Sequence, residues 1–96
     1  MAHYIVLANF TEQGIRTVKE TGARAKKFRE AAKQMGASIK EIYWTFGTYD
    51  VIVTLEAPND ENVAGLMLKV GTLGNLKSQT LRAFSEKEID SLTAKI

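Results

Sequence analysis

No cysteine occurs among the 96 residues of the chain, which excludes disulfide bonds, thiolate nucleophiles and zinc–sulfur sites. Histidine is used once, as His3. A lone imidazole, without an H-x-x-x-H spacing or a carboxylate pair beside it, cannot build a metal site, although it could still serve as a general base or an axial haem ligand. At the start of a strand and near a terminus, His3 reads first as an exposed or core-edge residue. No stretch approaches the roughly 20 apolar residues of a membrane span, and the opening run Tyr4-Ile5-Val6-Leu7 is short and lacks the basic flank of a secretory signal. A soluble cytoplasmic protein is expected. Excess charge is lacking as well: a net charge of +2 is too small for a nucleic-acid footprint. Arg24, Lys26, Lys27, Arg29 and Lys33, with Glu20 and Glu30 close by, read as the solvated face of an amphipathic helix. There is no Ser-His-Asp set, dinucleotide fingerprint or phosphate-binding glycine loop; Gly71-Thr72-Leu73-Gly74 is a helix terminus.

What is present is a 45% hydrophobic chain of single-domain length, so residues 1–96 are taken as one domain. Residues 3–10 are nearly all apolar and read as a buried strand. Thr17 and Glu20 have the spacing of a capping box, and Thr21, Ala25, Phe28, Ala32 and Met35 then make an apolar stripe that ends at Gly36. Residues 38–46 and 49–56 are two strands around Gly47-Thr48, which suits a two-residue type II′ turn. In that register Ile42, Trp44, Phe46, Tyr49, Val51, Val53 and Leu55 share the core face, opposite Glu41, Tyr43, Thr45, Asp50, Ile52, Thr54 and Glu56. Asn59 or Asp60 caps a second helix with a stripe of Val63, Leu66, Met67, Val70 and Leu73, from which Leu68 points away. A strand over 76–84 and a short helix opened by a Ser85/Glu88 capping box complete the chain.

The order β-α-β-β-α-β with a helical tail predicts an α+β, ferredoxin-like fold: a four-stranded antiparallel sheet with two helices on one face. The other face, carrying Tyr43, Ile52 and, on this reading, Tyr4, Val6, Ala8 and Phe10, is too apolar for water. A homodimer through that sheet face is therefore expected, with a pocket left between sheet and helices; a higher oligomer stays open.

Gly47-Thr48-Tyr49-Asp50, preceded by Tyr43-Trp44-Thr45-Phe46 and followed by Val51-Ile52-Val53, resembles the G-x-Y-D motif of the GYD domain family. Thr11-x-x-Gly14-Ile15, Arg24-Ala25, Gly36, Pro58-Asn59-Asp60 and Gly74-Asn75-Leu76-Lys77, followed by Thr80-Leu81-Arg82-Ala83-Phe84, continue the pattern in order along nearly the whole chain. The resemblance implies a small protein of the dimeric α/β-barrel group. That scaffold also carries cofactor-free monooxygenases, haem-degrading enzymes, chlorite dismutases and the effector-binding domains of leucine-responsive-type regulators. Kinship of scaffold does not carry an activity across.

Tyr43, Tyr49, Asp50 and Arg82 are the candidate ligand-binding residues. Asp50 can aim its carboxylate into a pocket beside Tyr43 and Thr45, or accept backbone N–H groups of its own loop. Tyr49 falls on the core side, where a packed aromatic keeps its hydroxyl tied to a partner. Arg82, and after it Arg24, can hold an anion bidentately; Glu56 or Asp50 across the sheet would occupy Arg82 equally well. Trp44, Tyr43 and Tyr4 can stack on a flat ligand or simply pack. No catalytic residue, metal or cofactor is assigned. The leading expectation is a homodimeric small-molecule binding or sensing module; the alternatives are a cofactor-independent monooxygenase or isomerase using Tyr43, Asp50 and Arg82, and a purely structural or interaction module.

Overall fold

The structure, a computed structural model, describes residues 1–96. Strand β1 spans Ala2–Phe10 and is followed by helix α1 (Glu12–Arg16), a 3₁₀ turn (Val18–Glu20) and helix α2 (Thr21–Gln34). Strands β2 (Ser38–Trp44) and β3 (Val51–Ala57) lead to helix α3 (Asp60–Thr72), strand β4 (Leu76–Ala83) and helix α4 (Glu86–Thr93). The sheet order is β2-β3-β1-β4 and each neighbouring pair is antiparallel, the ferredoxin-like arrangement.

β1 lies at the centre of the sheet because it is apolar on both sides and can bury both. Its parity differs from the expectation. Tyr4, Val6 and Ala8 pair with Leu55, Val53 and Val51, and all six are buried beneath the helices. Directly opposed residues of an antiparallel pair project to the same face. Tyr4, Val6, Ala8 and Phe10 therefore belong to the helix side, and Ile5 and Leu7 take their place on the open face. Periodicity cannot decide this for a strand in which both alternating sets are apolar.

The β2–β3 register agrees with the expectation as far as Trp44, with Ile42, Tyr43 and Trp44 opposing Val53, Ile52 and Val51. Phe46, expected on the core face, is fully exposed in the loop beyond it. A bulge at Lys40 then lets Ile39 and Ile42, three positions apart, both pack on the core. The two-residue turn does not form. Residues 45–50 make an open loop in which Thr45 N still donates to Asp50 O (2.8 Å), while Asp50 N turns to Ala8 O on β1 (2.9 Å). The pull of the central strand on residue 50 outweighs the intrinsic preference of Gly47-Thr48 for a tight turn. Gly47, at φ 118°, takes up the reversal in a region that side-chain-bearing residues rarely enter.

The segment between β1 and α2 is more structured than its polar composition suggests. Thr11 caps α1 by accepting from Gly14 N. Thr17 ends α1 instead of opening α2: its hydroxyl donates to Gln13 O, and no side-chain cap precedes Thr21. The Thr17/Glu20 capping box is thus absent, because Thr17 is already spent on α1 and on Arg24. The other helix signals are met: Asn59 caps α3, Ser85 and Glu88 form a reciprocal capping box, and Gly36 and Gly74 follow α2 and α3 with positive φ.

Ala32 of α2 and Val63 and Leu66 of α3 complete the core with the sheet residues, and Phe28, Ala31, Met35 and Met67 pack around them. Helix α4 buries no residue; Ile89 and Leu92 are exposed along it, as is Ile96 beyond its end.

Candidate functional site

The C-terminal end of α2 meets the first half of α3. Asn62 Nδ2 donates to Met35 O (2.8 Å), and a Cβ on Gly65 would lie 2.9 Å from Met35 Cε. Beyond that junction a cavity of about 380 Å³ opens between α2, α3 and the sheet. Its floor includes Val6, Ala8, Val51 and Val53, and its walls include Phe28 and Ala31 from α2 and Met67 and Val70 from α3. Trp44, at the end of β2, forms one side and donates from Nε1 to Thr21 Oγ1 (3.0 Å), joining the sheet edge to the start of α2. A chamber of this size, apolar with a few polar groups at its edge, is of the kind that takes small molecules.

The polar groups at its edge include Arg24, Lys27 and Glu30 from α2 and Lys69 from α3. Arg24 is the fixed one. Its Nη1 donates to Thr17 Oγ1 (2.8 Å) and its Nη2 to Gly14 O (3.2 Å), so α1 and the residue that ends it hold the guanidinium in place with neutral oxygens. No three His, Asp or Glu side chains lie close enough together to share a metal ion.

The residues singled out in the sequence are brought to separate places, and none of Tyr43, Tyr49, Asp50 and Arg82 lines this cavity. Asp50 fastens the hairpin to the end of β1: its Oδ2 accepts from Phe10 N (2.9 Å) and Asn9 Nδ2 (3.4 Å), while Asn9 Nδ2 also donates to Thr48 O (2.7 Å). The carboxylate thus serves a neighbouring strand rather than its own loop, and through Phe10 it sets the cavity's edge. Replacing Asp50 with alanine leaves Phe10 N–H without its acceptor and is expected to lower stability by about 1–2 kcal/mol. Urea denaturation checks this; an unchanged midpoint would show that the bond contributes nothing to the fold. Tyr49 is half-buried in the loop, its carbonyl accepting from Thr45 Oγ1 (2.6 Å).

Tyr43 stands exposed on the helix-free face and donates to Glu41 Oε2 (2.5 Å), a bond that pushes its phenol above the usual value. Arg82 lies at the other end of β1, opposite Tyr4, with its guanidinium 5.6 Å from the Tyr4 ring centre and 4.3 Å from that of Phe84. His3 and Arg82 flank Glu88, at 3.6 and 3.9 Å. The Ser85 cap, followed by the nearby Arg82, holds the Glu88 carboxyl below the ordinary range.

Tyr4, Asp60, Thr80 and Arg82 frame a smaller pocket of about 220 Å³. Tyr4 is buried and its hydroxyl donates to Asp60 Oδ1 (2.5 Å). Burial, reinforced by Asp60, pushes the phenol above its ordinary 10.0. The unfolded chain therefore loses this proton first, and stability is expected to fall as pH rises above about 10. Tyr4→Phe should flatten that alkaline limb in melts followed across pH; an identical limb would show that Tyr4 is not its source.

Of the cavity's own residues, Arg24 and Trp44 stood out in the sequence as candidate ligand contacts, whereas Phe28 was legible only as a helix-stripe residue and Lys69 not at all. A helix period marks which face is apolar. It does not mark where two helices stand apart.

The sequence model of the GYD domain matches residues 4–93. The chain belongs to the GYD domain family. This GYD domain is 31% identical over 84 residues to the glutamine synthetase and cystathionine beta-lyase binding protein of Thermus thermophilus, covering 86% of this chain and 88% of that one. In fold it is similar to a crystal structure of a Thermus thermophilus protein (TM-score 0.57, 21% identity, covering 88% of this chain and 95% of that one). A hypothetical protein from Pyrococcus horikoshii is similar to the same degree (TM-score 0.56, 19% identity, covering 90% and 93%). No helix of this GYD domain is long and apolar enough to cross a membrane.

Proposed function

We propose that this GYD domain is a homodimeric binding module, two copies meeting through their helix-free sheet faces and each keeping its cavity for a small molecule. The carrying observation is the open face itself. Ile5, Leu7, Ile52 and Leu81 occupy it with Tyr43, and no helix of the chain covers it; Tyr43 is 53% exposed and Leu81 38%. A patch of this composition on a small chain marks an interface, and a two-fold contact lets one patch cover itself. The name of the Thermus thermophilus relative supports protein binding as the working mode. Enzyme partners of that kind would meet a surface the dimer leaves free, such as the apolar edge of α4.

The cavity supports the small-molecule half of the reading, since it lies on the opposite side of the sheet and survives dimer formation. The alternative of a cofactor-independent monooxygenase or isomerase needs Tyr43, Asp50 and Arg82 around one substrate. Tyr43 is on the opposite face from the cavity, and Asp50 and Arg82 lie at opposite ends of β1, about 20 Å apart at the rise of a strand.

Light scattering after size exclusion is expected to return about twice the 10.6 kDa chain mass. Ile52→Arg should shift the particle to 10.6 kDa with its helical content intact, because a charge buried against a second sheet has no partner. A wild-type monomer at micromolar concentration would overturn the dimer.

A further inference from the structure

We propose that the cavity takes an amphipathic organic anion, its apolar body between sheet and helices and its carboxylate at Arg24. This rests on the small-molecule half of the reading above and names the ligand class. The lining decides the body: a chamber of about 380 Å³ whose floor is valine and alanine and whose walls are Phe28, Met67 and Trp44 has little to offer a sugar or a nucleotide.

The edge decides the head group. Arg24, Lys27 and Lys69 face one carboxylate there, Glu30, and none of these four side chains is in an ion pair. Elsewhere the chain does pair its charges, as in Arg16 with Glu12 and Lys40 with Glu56. Arg24 is half-buried, and its charge is met only by the neutral oxygens of Thr17 and Gly14. Such bonds orient a guanidinium without neutralising it. They leave it prepared for a carboxylate, with the side-chain ordering cost already met in the free protein.

The start of α2 adds to the same potential. The helix opens at Thr21, a cavity residue, with no acidic residue in its first turn; Glu20, at the N-cap position, makes no capping bond but offsets part of the dipole. Arg24, Lys27 and Lys69 thus line one apolar chamber in which Glu30 is the only carboxylate. A neutral or cationic ligand would leave all of them unanswered.

The test is titration calorimetry on the full chain with decanoate and naphthoate as anionic probes, decanol as the neutral one and decylamine as the cationic one. A carboxylate is expected to bind at least about tenfold more tightly than decanol, the ratio one charge-assisted hydrogen bond supplies, and decylamine not to bind. Arg24→Gln should remove that preference while leaving decanol unchanged. Because Arg24 also braces α1, the exposed pair Lys27→Gln with Lys69→Gln is measured beside it and should weaken carboxylate binding alone. Ala25→Phe, which fills the chamber, should abolish binding of every probe while the circular dichroism spectrum is kept. Decanol binding as tightly as decanoate, with both sets of cation variants silent, overturns the anion assignment and leaves the cavity as a ligand site. No binding by any probe overturns the assignment together with the small-molecule reading beneath it. Carboxylate binding that survives Ala25→Phe places the site elsewhere and overturns the proposal.

Discussion

Leu66→Ala is expected to destabilise the protein by about 3 kcal/mol and to lower its melting temperature by roughly 15 °C. Leu66 has 0% exposure and sits with Val63 on the face of α3 that presses on the sheet. Truncation removes its apolar contacts and leaves a void. The void cannot close cheaply, because α3 is pinned at one end by Asn62 on Met35 and at the other by α1 and its cap, which hold the carbonyls of Leu73 and Gly74. Leu68, two positions on, is 73% exposed. Leu68→Ala should therefore change stability by no more than about 0.5 kcal/mol, the range of ordinary surface substitutions. Thermal melts of the two variants make the comparison. Similar shifts for both would show that α3 is rotated from the docking described.

Gly14→Ala is expected to destabilise by about 3 kcal/mol, against the usual trend for a helical position. Alanine at a solvent-facing helical site is ordinarily favoured over glycine by up to about 1 kcal/mol. At Gly14 the added Cβ would fall 2.0 Å from Asn75 O and 2.9 Å from Asn75 C, both backbone atoms. Relief requires α1 to lift away from the α3–β4 junction. That lift strains the bonds from Thr11 N to Asn75 O (3.0 Å) and from Thr11 Oγ1 to Gly74 O (2.6 Å), and it moves Gly14 O, one of the two anchors of Arg24. Gly71→Ala is the matched control. Gly71 is also helical, nothing lies within 4 Å of a Cβ built there, and alanine should stabilise by about 0.5–1 kcal/mol. Urea midpoints of opposite sign are the expected result; a neutral or stabilising Gly14→Ala would mean that α1 does not rest on Asn75.

Particular residues show how far the sequence reaches. The stripe from Thr21 to Met35 gives α2 to within a residue at its N-terminus, since a period of 3.6 is a local property of the chain. The Ser85/Glu88 box and the Asn59 cap are legible for the same reason: both partners lie within one turn. The β2–β3 register is legible over Ile42 to Trp44, although the two-residue turn it is reasoned from does not form, and is lost past the bulge at Lys40, which nothing local announces. Thr17 shows a local signal overruled, its hydroxyl drawn to Gln13 and Arg24 instead of to α2.

The candidate site lies further from the sequence's reach. The G-x-Y-D hairpin identifies the family, and its carboxylate does hold a defined position. That position is the end of β1, a strand forty residues earlier in the chain. A pocket between sheet and helices is expected from the sequence, but most of its lining is not, because the cavity arises where α2 and α3 diverge after touching at Met35 and Gly65.

By itself, then, the sequence determined the order of the four strands, the two long helices and the helical tail, most of the caps on those helices, the antiparallel ferredoxin-like plan and membership of the GYD domain family. All of these rest on interactions between residues close along the chain or on their order. Tertiary structure alone decided which side of β1 faces the helices, why the hairpin opens to meet Ala8, and that Arg24 rather than Arg82 stands at an apolar chamber. Those outcomes depend on distances between segments far apart in sequence, which neither periodicity nor motif spacing encodes.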